Sequence, residues 1–149
     1  MEQTKVLIVE DEAISATSLH RALRSYGYNV CEVASTGESA IEIARRERPD
    51  VILMDIGLAG RMDGFEAAME IRALGDIPIV FLTGYMDDEI VTRVKVFRWA
   101  AMLVKPITPE EVRQAISAVF EGRNGDELPP CKVQGKRGKN GRLTGQGDA

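Results

Sequence analysis

Polar side chains follow several apolar runs of this sequence, at the point where each run ends. Three acidic residues, 10–12, come after KVLIV, and Asp55 comes directly after VILM. Thr83 follows PIVFL, and Lys105 follows AAMLV. A carboxylate, a hydroxyl or an ammonium at the end of a buried strand is placed where it could do chemistry.

The carboxylates would form a site for a divalent cation if they lie together. Glu10, Asp11 and Asp55 would then repel one another and raise each other's pKa. A set of oxygen ligands suits Mg²⁺, which binds one or two carboxylates together with waters and a phosphate. A carboxylate beside Mg²⁺ can attack phosphorus to give an aspartyl phosphate. Lys105 and the Thr83 hydroxyl could hold the remaining phosphoryl oxygens.

Each of these positions also has an ordinary structural interpretation. Asp11 could cap the helix that follows it, because Asp is a favoured N-cap residue. A Thr at a strand end is common, and Lys105 followed by proline could simply form a turn. Capping and turns do not readily explain why such residues follow four separate strands.

Apolar runs alternate with helical patterns five times along the chain, which predicts an α/β fold. The predicted strands are 5–9, 29–33, 51–54, 78–82 and 100–104, and the predicted helices are 12–26, 35–48, 64–74, 87–96 and 109–120. Unbroken apolar strands between amphipathic helices indicate a parallel, doubly wound sheet that is covered on both faces. Ligands of such sheets bind outside the carboxyl ends of the strands, where the polar residues lie.

Composition divides the chain of 149 residues into two parts. Residues 122–149 contain seven glycines, two prolines, six basic and three acidic residues, and almost no large apolar side chains. They cannot bury enough apolar surface to offset the entropy of ordering. We therefore predict a folded domain over 1–121, with 13 basic and 20 acidic residues and a net charge of −7, and a flexible basic tail over 122–149.

Apolar runs and cysteine spacing indicate where the protein is found and whether its cysteines do chemistry. No apolar stretch approaches the roughly 18 residues of a membrane span, and the beginning of the sequence does not have the pattern of a signal peptide. Cys31 and Cys131 are far apart and outside any CxxC pattern, so neither a zinc site nor a redox pair is indicated. These features favour the cytoplasm.

Four stretches together resemble the response regulator receiver domain, the phosphoacceptor module of two-component signalling. They are VLIVEDE at 6–12, ILMDIGLAGRMDG at 52–64, PIVFLTGY at 78–85 and LVKP at 103–106. The resemblance implies a flavodoxin-like (βα)5 fold with five parallel strands in the order 2-1-3-4-5. It also implies that Asp55 is phosphorylated. Asp11, Asp55 and the Gly57 carbonyl would bind Mg²⁺ directly, and Glu10 would act through a water.

The resemblance also assigns a signalling route. Thr83 and Lys105 would contact the phosphoryl group, and the Lys105–Pro106 peptide is expected to be cis. Thr83 would move toward the phosphate while a side chain of the fifth strand rotates inward, as one population shifts to another. That side chain is aromatic in many members and is Met102 here. A thioether can fill an emptied pocket, but it cannot present a ring at the surface.

The implied function is a stand-alone response regulator. It would take its phosphoryl group from a sensor histidine kinase or a histidine phosphotransfer protein and catalyse only its own phosphorylation and dephosphorylation. A downstream protein would bind the face formed by the fourth helix, fifth strand and fifth helix, and the chain would be a monomer or a phosphorylation-dependent dimer. The single histidine, His20, is expected to be a surface residue and not a phosphoryl donor.

Several alternatives remain open from the residues. The chain could be the receiver portion of a larger regulator or hybrid kinase. A haloacid-dehalogenase-type phosphatase needs an acid two residues after its nucleophile, where Gly57 stands, and an FMN-binding protein needs a phosphate loop where residues 10–12 are acidic. The basic tail is better explained as a solvated linker than as a nucleic-acid arm. Phe97 and Trp99 could be core residues or part of a docking patch.

Overall fold

Six parallel strands form one sheet in the computed structural model, which describes residues 3–124 and 131–134. The strands are β1 Lys5–Val9, β2 Asn29–Val30, β3 Val51–Asp55, β4 Ile79–Thr83, β5 Ala100–Val104 and β6 Cys131–Gln134. The helices are α1 Ala13–Ser25, α2 Gly37–Glu47, α3 Gly64–Arg72, α4 Asp88–Val94 and α5 Pro109–Asn124. The strand order β2-β1-β3-β4-β5-β6 contains the predicted order 2-1-3-4-5.

The helices cover both faces of the sheet, which confirms the doubly wound prediction. Side chains of α1 and α5 pack on one face against a cluster that includes Ile8 and Leu53. Side chains of α2, α3 and α4 pack on the other face around Met54 and Phe81. The central strands are buried on both faces, so their sequences are continuously apolar instead of alternating. No helix of the described residues has the length and apolar character that a membrane crossing requires.

All five predicted parallel strands are present in the predicted order, and within the described residues Cys131–Gln134 adds a further strand, β6, beside β5. This strand lies inside the segment predicted to be a flexible tail, and the predicted boundary at residue 121 falls within α5. Four residues with a single strongly strand-forming member, Val133, give too short a pattern to recognise. For 125–130 and 135–149 the prediction of a flexible tail lies outside the described residues.

Side-chain caps explain where several of the helices begin. The Thr36 hydroxyl accepts the Ser39 N–H and Ser39 reciprocates, which forms a capping box at α2. Thr108 and Glu111 make the same reciprocal pair at the start of α5. Each pair satisfies backbone N–H groups that have no partner within the helix. The alternative role of Asp11 as the cap of α1 does not apply, since Glu12 is the N-cap residue of this helix and makes no side-chain cap bond.

The start of α3 packs so closely on the end of β3 that position 64 has room only for glycine. A Cβ there would lie 2.8 Å from Ile56 Cα and 3.0 Å from the Asp55 carbonyl carbon. We therefore expect Gly64→Ala to lower the free energy of unfolding by about 1–3 kcal/mol, because these are backbone atoms that cannot move cheaply. Urea unfolding measures the loss. Gly84→Ala is the matched control, since a Cβ at Gly84 meets open space, and equal stability of the two variants would contradict the prediction.

Candidate functional site

Three carboxylates meet at the carboxyl ends of β1 and β3. Glu10 follows β1, Asp55 ends β3, and the pairing of Val9 with Met54 brings the two positions level. One oxygen each from Glu10, Asp11 and Asp55 lies within 4.8 Å of the others. Glu10 and Asp55 are only 3% and 5% exposed, whereas Asp11 is exposed. The three residues that the sequence singled out as a cation site therefore lie together in the structure.

Lys105 provides the positive charge nearest to the two buried carboxylates. Its Nζ lies 3.3 Å from Asp55 Oδ2 and 3.4 Å from Glu10 Oε1. Burial lowers the pKa of the Lys105 ammonium, but attraction to Asp55 and Glu10 outweighs this effect and the pKa is raised overall. The ammonium is therefore held in its charged form, between the two carboxylates.

One ammonium does not neutralise three carboxylates. Burial raises the pKa of Glu10, and the neighbouring charge of Asp55 raises it further. The donors are all oxygen atoms, their net charge is negative, and Asp11 leaves one side of the cluster open to solvent. A hard divalent cation such as Mg²⁺ fits this donor set better than a soft metal does.

Backbone amides orient each of the three carboxylates. The N–H groups of Glu12, Gly57 and Ala59 donate to Glu10 Oε2, Asp55 Oδ1 and Asp11 Oδ2 at 3.1, 3.0 and 2.9 Å, respectively. The last bond ties the loop after β3 to the end of β1. Sequence reasoning missed the Ala59 contact, because a backbone N–H donor carries no residue signature. The Gly57 N–H bond places this residue beside Asp55, and its carbonyl as a cation ligand stays a prediction.

Thr83 and the Lys105–Pro106 peptide lie at the same rim. Thr83 ends β4, is buried, and donates its hydroxyl to the Tyr85 carbonyl at 2.8 Å. Its own carbonyl accepts the Lys105 N–H at 2.8 Å. The Lys105–Pro106 peptide bond is cis. The backbone bond to Lys105 thus places Thr83 at the rim that carries the carboxylate site. The Thr83 hydroxyl is bonded within the loop that follows β4.

Met102 lies within β5, behind this rim, and residues 97–100 (FRWA) lie at the amino end of the same strand. Met102 is fully buried, and its strand position pairs with Phe81. Phe97 is also buried, with its ring centre 5.1 Å from that of Phe81, so the core interpretation holds for Phe97. Trp99 is half-buried beneath the Arg98 guanidinium at 4.9 Å. His20 is partly exposed on α1, as expected for a residue near the surface.

Curated relatives of this chain are longer regulators, of which the matching segment covers about half. The transcriptional regulatory protein PdtaR of Mycobacterium tuberculosis is 38% identical over 112 residues, which cover 75% of this chain and 54% of PdtaR. The response regulator GacA of Pseudomonas aeruginosa is 36% identical over 121 residues, which cover 80% of this chain and 56% of GacA. The chain spans about half the length of the curated relatives it matches.

Solved structures share the fold of this chain, and one of them holds a metal ion. Chemotaxis protein CheY4 of Vibrio cholerae superposes with a TM-score of 0.74 at 30% identity, over 79% of this chain and 99% of CheY4. The receiver domain of a sensor histidine kinase from Pseudomonas aeruginosa has a TM-score of 0.70 at 30% identity, over 80% of this chain and 99% of that domain. That domain was crystallised with magnesium coordinated in its active-site cleft.

The family profile of the response regulator receiver domain matches residues 6–117, which is most of the chain and includes every residue of the carboxylate site. The match agrees with the strand order and with the placement of Glu10, Asp55 and Lys105 at one rim. This chain belongs to the response regulator receiver domain family.

Proposed function

We propose that this chain is a phosphoacceptor that takes a phosphoryl group onto Asp55 in the presence of Mg²⁺. The observation that carries the proposal is the placement of Asp55, which is buried at the end of β3 between acidic neighbours and 3.3 Å from the Lys105 ammonium. The donor would be a phosphohistidine of a sensor kinase or a phosphotransfer protein. Family membership gives no support to the phosphatase and FMN-binding alternatives.

The residues suit an in-line phosphoryl transfer. Asp55 forms an oxygen–phosphorus bond while the phosphorus–nitrogen bond of the donor histidine breaks, and the histidine leaves with that electron pair. The Gly57 N–H fixes one Asp55 oxygen, so the orientation of the carboxylate is set before the reaction. The Lys105 ammonium lies where it can hold a negatively charged phosphoryl oxygen.

Glu10, Asp11, Asp55 and the Gly57 carbonyl would hold Mg²⁺. When bound, the cation supplies the positive charge that lets an anionic phosphoryl group approach an acidic site. This chain's own contribution is to keep three carboxylates within reach of one another, each oriented by a backbone amide.

We expect Thr83 to be the side chain that responds to phosphorylation of Asp55. Its hydroxyl would exchange the Tyr85 carbonyl for a phosphoryl oxygen, which moves the loop between β4 and α4. The resulting population shift would change the α4–β5–α5 face for a downstream partner. Because Met102 is already buried, this change would proceed through the loop and the packing around Met102, without an aromatic ring leaving the surface.

Acetyl phosphate tests the proposed function directly. Wild-type protein incubated with acetyl phosphate and Mg²⁺ is expected to gain the mass of one phosphoryl group, and chelation of Mg²⁺ is expected to prevent the gain. Intact-mass spectrometry measures both. Absence of modification, or modification that is insensitive to chelation, would refute the proposal.

Lys105→Met is expected to destabilise the protein in Mg²⁺-free buffer. It leaves Glu10 and Asp55 facing each other without a neutralising charge, and because Lys105 is about one-third exposed the loss should be about 1–2 kcal/mol. Added Mg²⁺ should recover more stability in this variant than in wild type. Urea unfolding with chelator and with Mg²⁺ measures both effects. Lys95→Met, at an exposed position, is the control, and a Lys105→Met protein as stable as this control would contradict the prediction.

A further inference from the structure

The strand β6 lies along the edge of β5 opposite β4 and pairs with four of its five residues. Its residues pair in parallel with those of β5, from Ala100 with Cys131 to Leu103 with Gln134. The other edge of β5 is occupied by β4. Without β6, β5 would be the last strand of the sheet and would present a row of unpaired N–H and C=O groups.

The edge that β6 occupies belongs to the face through which the proposed function sends its signal. α4 and α5 lie on opposite faces of the sheet beside β5, and β5 is the strand between them. β5 leads directly to Lys105, whose ammonium contacts Asp55. A change at the phosphoacceptor site therefore has a short physical connection to the strand that β6 covers.

The attachment of β6 is of a kind that can open. β6 has four residues, α5 lies between β5 and β6 in the chain as parallel pairing requires, and β5 is the described strand with which β6 pairs. A short edge strand that is held chiefly by backbone hydrogen bonds on one side opens at lower free energy than a central strand.

We propose that the edge of β5 is a docking site for an extended segment, and that Cys131–Gln134 of this chain occupies it in the unmodified protein. A downstream partner would reach the β5 edge only after β6 leaves, and modification of Asp55 would favour that departure. The position of β6 beside β5 is supported by the strand pairing alone, whereas its release on modification of Asp55 rests on the proposed function. Cys131–Gln134 would thus compete with the partner for the β5 edge. Both would bind by adding a strand to the sheet.

Proline substitutions test the seating of β6 in the full-length chain. Successive N–H groups of a strand point to opposite edges, so one of Lys132→Pro and Val133→Pro removes a hydrogen bond to β5, and the other removes an outward N–H. We expect amide hydrogen exchange within Ala100–Val104 to become about tenfold faster in one of the two variants. Thr144→Pro, outside β6, is the control. Unchanged exchange in both variants would overturn the proposal.

A peptide supplied in trans tests whether the edge is a docking site. A fluorescent peptide with the sequence of residues 129–136 should bind the proline variant that opens β5 and should not bind wild type, whose own strand fills the edge. Binding to neither protein, or equal binding to both, would contradict the proposal. Neither this measurement nor the exchange experiment requires a phosphoryl donor, so a negative result leaves the proposed function intact.

The release step is tested on the wild-type chain after treatment with acetyl phosphate and Mg²⁺. Intact mass establishes that the sample is modified, and the exchange of the β5 amides is then compared with the untreated protein. Faster exchange supports release of β6. Unchanged exchange in a sample that is fully modified would overturn release while leaving phosphoryl acceptance established, and absence of modification would count against the proposed function instead.

Discussion

Asp55→Asn is expected to reduce Mg²⁺-dependent labelling by acetyl phosphate to background, a loss of more than about a hundredfold. The amide has nearly the size of the carboxylate and can still accept the Gly57 N–H, so the loop after β3 should keep its position. Its oxygen is a poor nucleophile toward phosphorus, and the negative charge that faces Lys105 is lost. Intact mass after a timed reaction measures the effect.

Two controls make this result specific. Asp63→Asn removes a carboxylate that caps α3 and lies outside the carboxylate cluster, and Asn is an equally good N-cap residue. This variant should be labelled at the wild-type level. Labelling of Asp55→Asn at that level, or a phosphoryl group mapped to Glu10 in the wild-type protein, would show that the acceptor has been misassigned.

Much of the fold could be predicted because its strands are buried on both faces. VILM before Asp55 and PIVFL before Thr83 are continuous apolar runs, and parallel strands that helices cover on both faces give such runs. The same pattern predicts that the polar residues after the strands lie at one rim of the sheet, because parallel strands align their carboxyl ends. The pattern therefore predicts that Glu10, Asp55 and Lys105 lie together, and the structure puts them in contact.

The features that sequence reasoning missed are held by tertiary or backbone interactions. β2 has only two residues where five were predicted, and a separate bridge joins Val9 and Ala34. β6 exists because β5 offers an unpaired edge, which no property of the four-residue segment Cys131–Gln134 indicates by itself. Asp11 has the residue type of a helix cap, yet its carboxylate binds the Ala59 N–H from another loop. Such contacts depend on which segments the fold brings together, and no local sequence pattern indicates them.

Asp11 also provides the second large effect, on Mg²⁺ affinity. Asp11→Asn is expected to weaken Mg²⁺ binding by roughly 10- to 100-fold, because it removes one of the three charges that would hold the cation. Its amide oxygen can still accept the Ala59 N–H, so the loop after β3 remains tied to β1. Asp11→Ala removes both the charge and the acceptor. Calorimetric titration with Mg²⁺, or the Mg²⁺-dependent shift in Tm, measures the affinity.

The comparison of these variants separates two roles of Asp11. If the charge alone matters, Asp11→Asn and Asp11→Ala should lose similar affinity, and a larger loss in Asp11→Ala measures the contribution of the loop contact. Glu12→Gln removes the charge of an exposed neighbour outside the carboxylate cluster, and should change Mg²⁺ binding less than about threefold. Unchanged affinity in Asp11→Asn would mean that the cation binds elsewhere. Glu10 and Asp11 would then serve only to set the charge around Asp55 and Lys105.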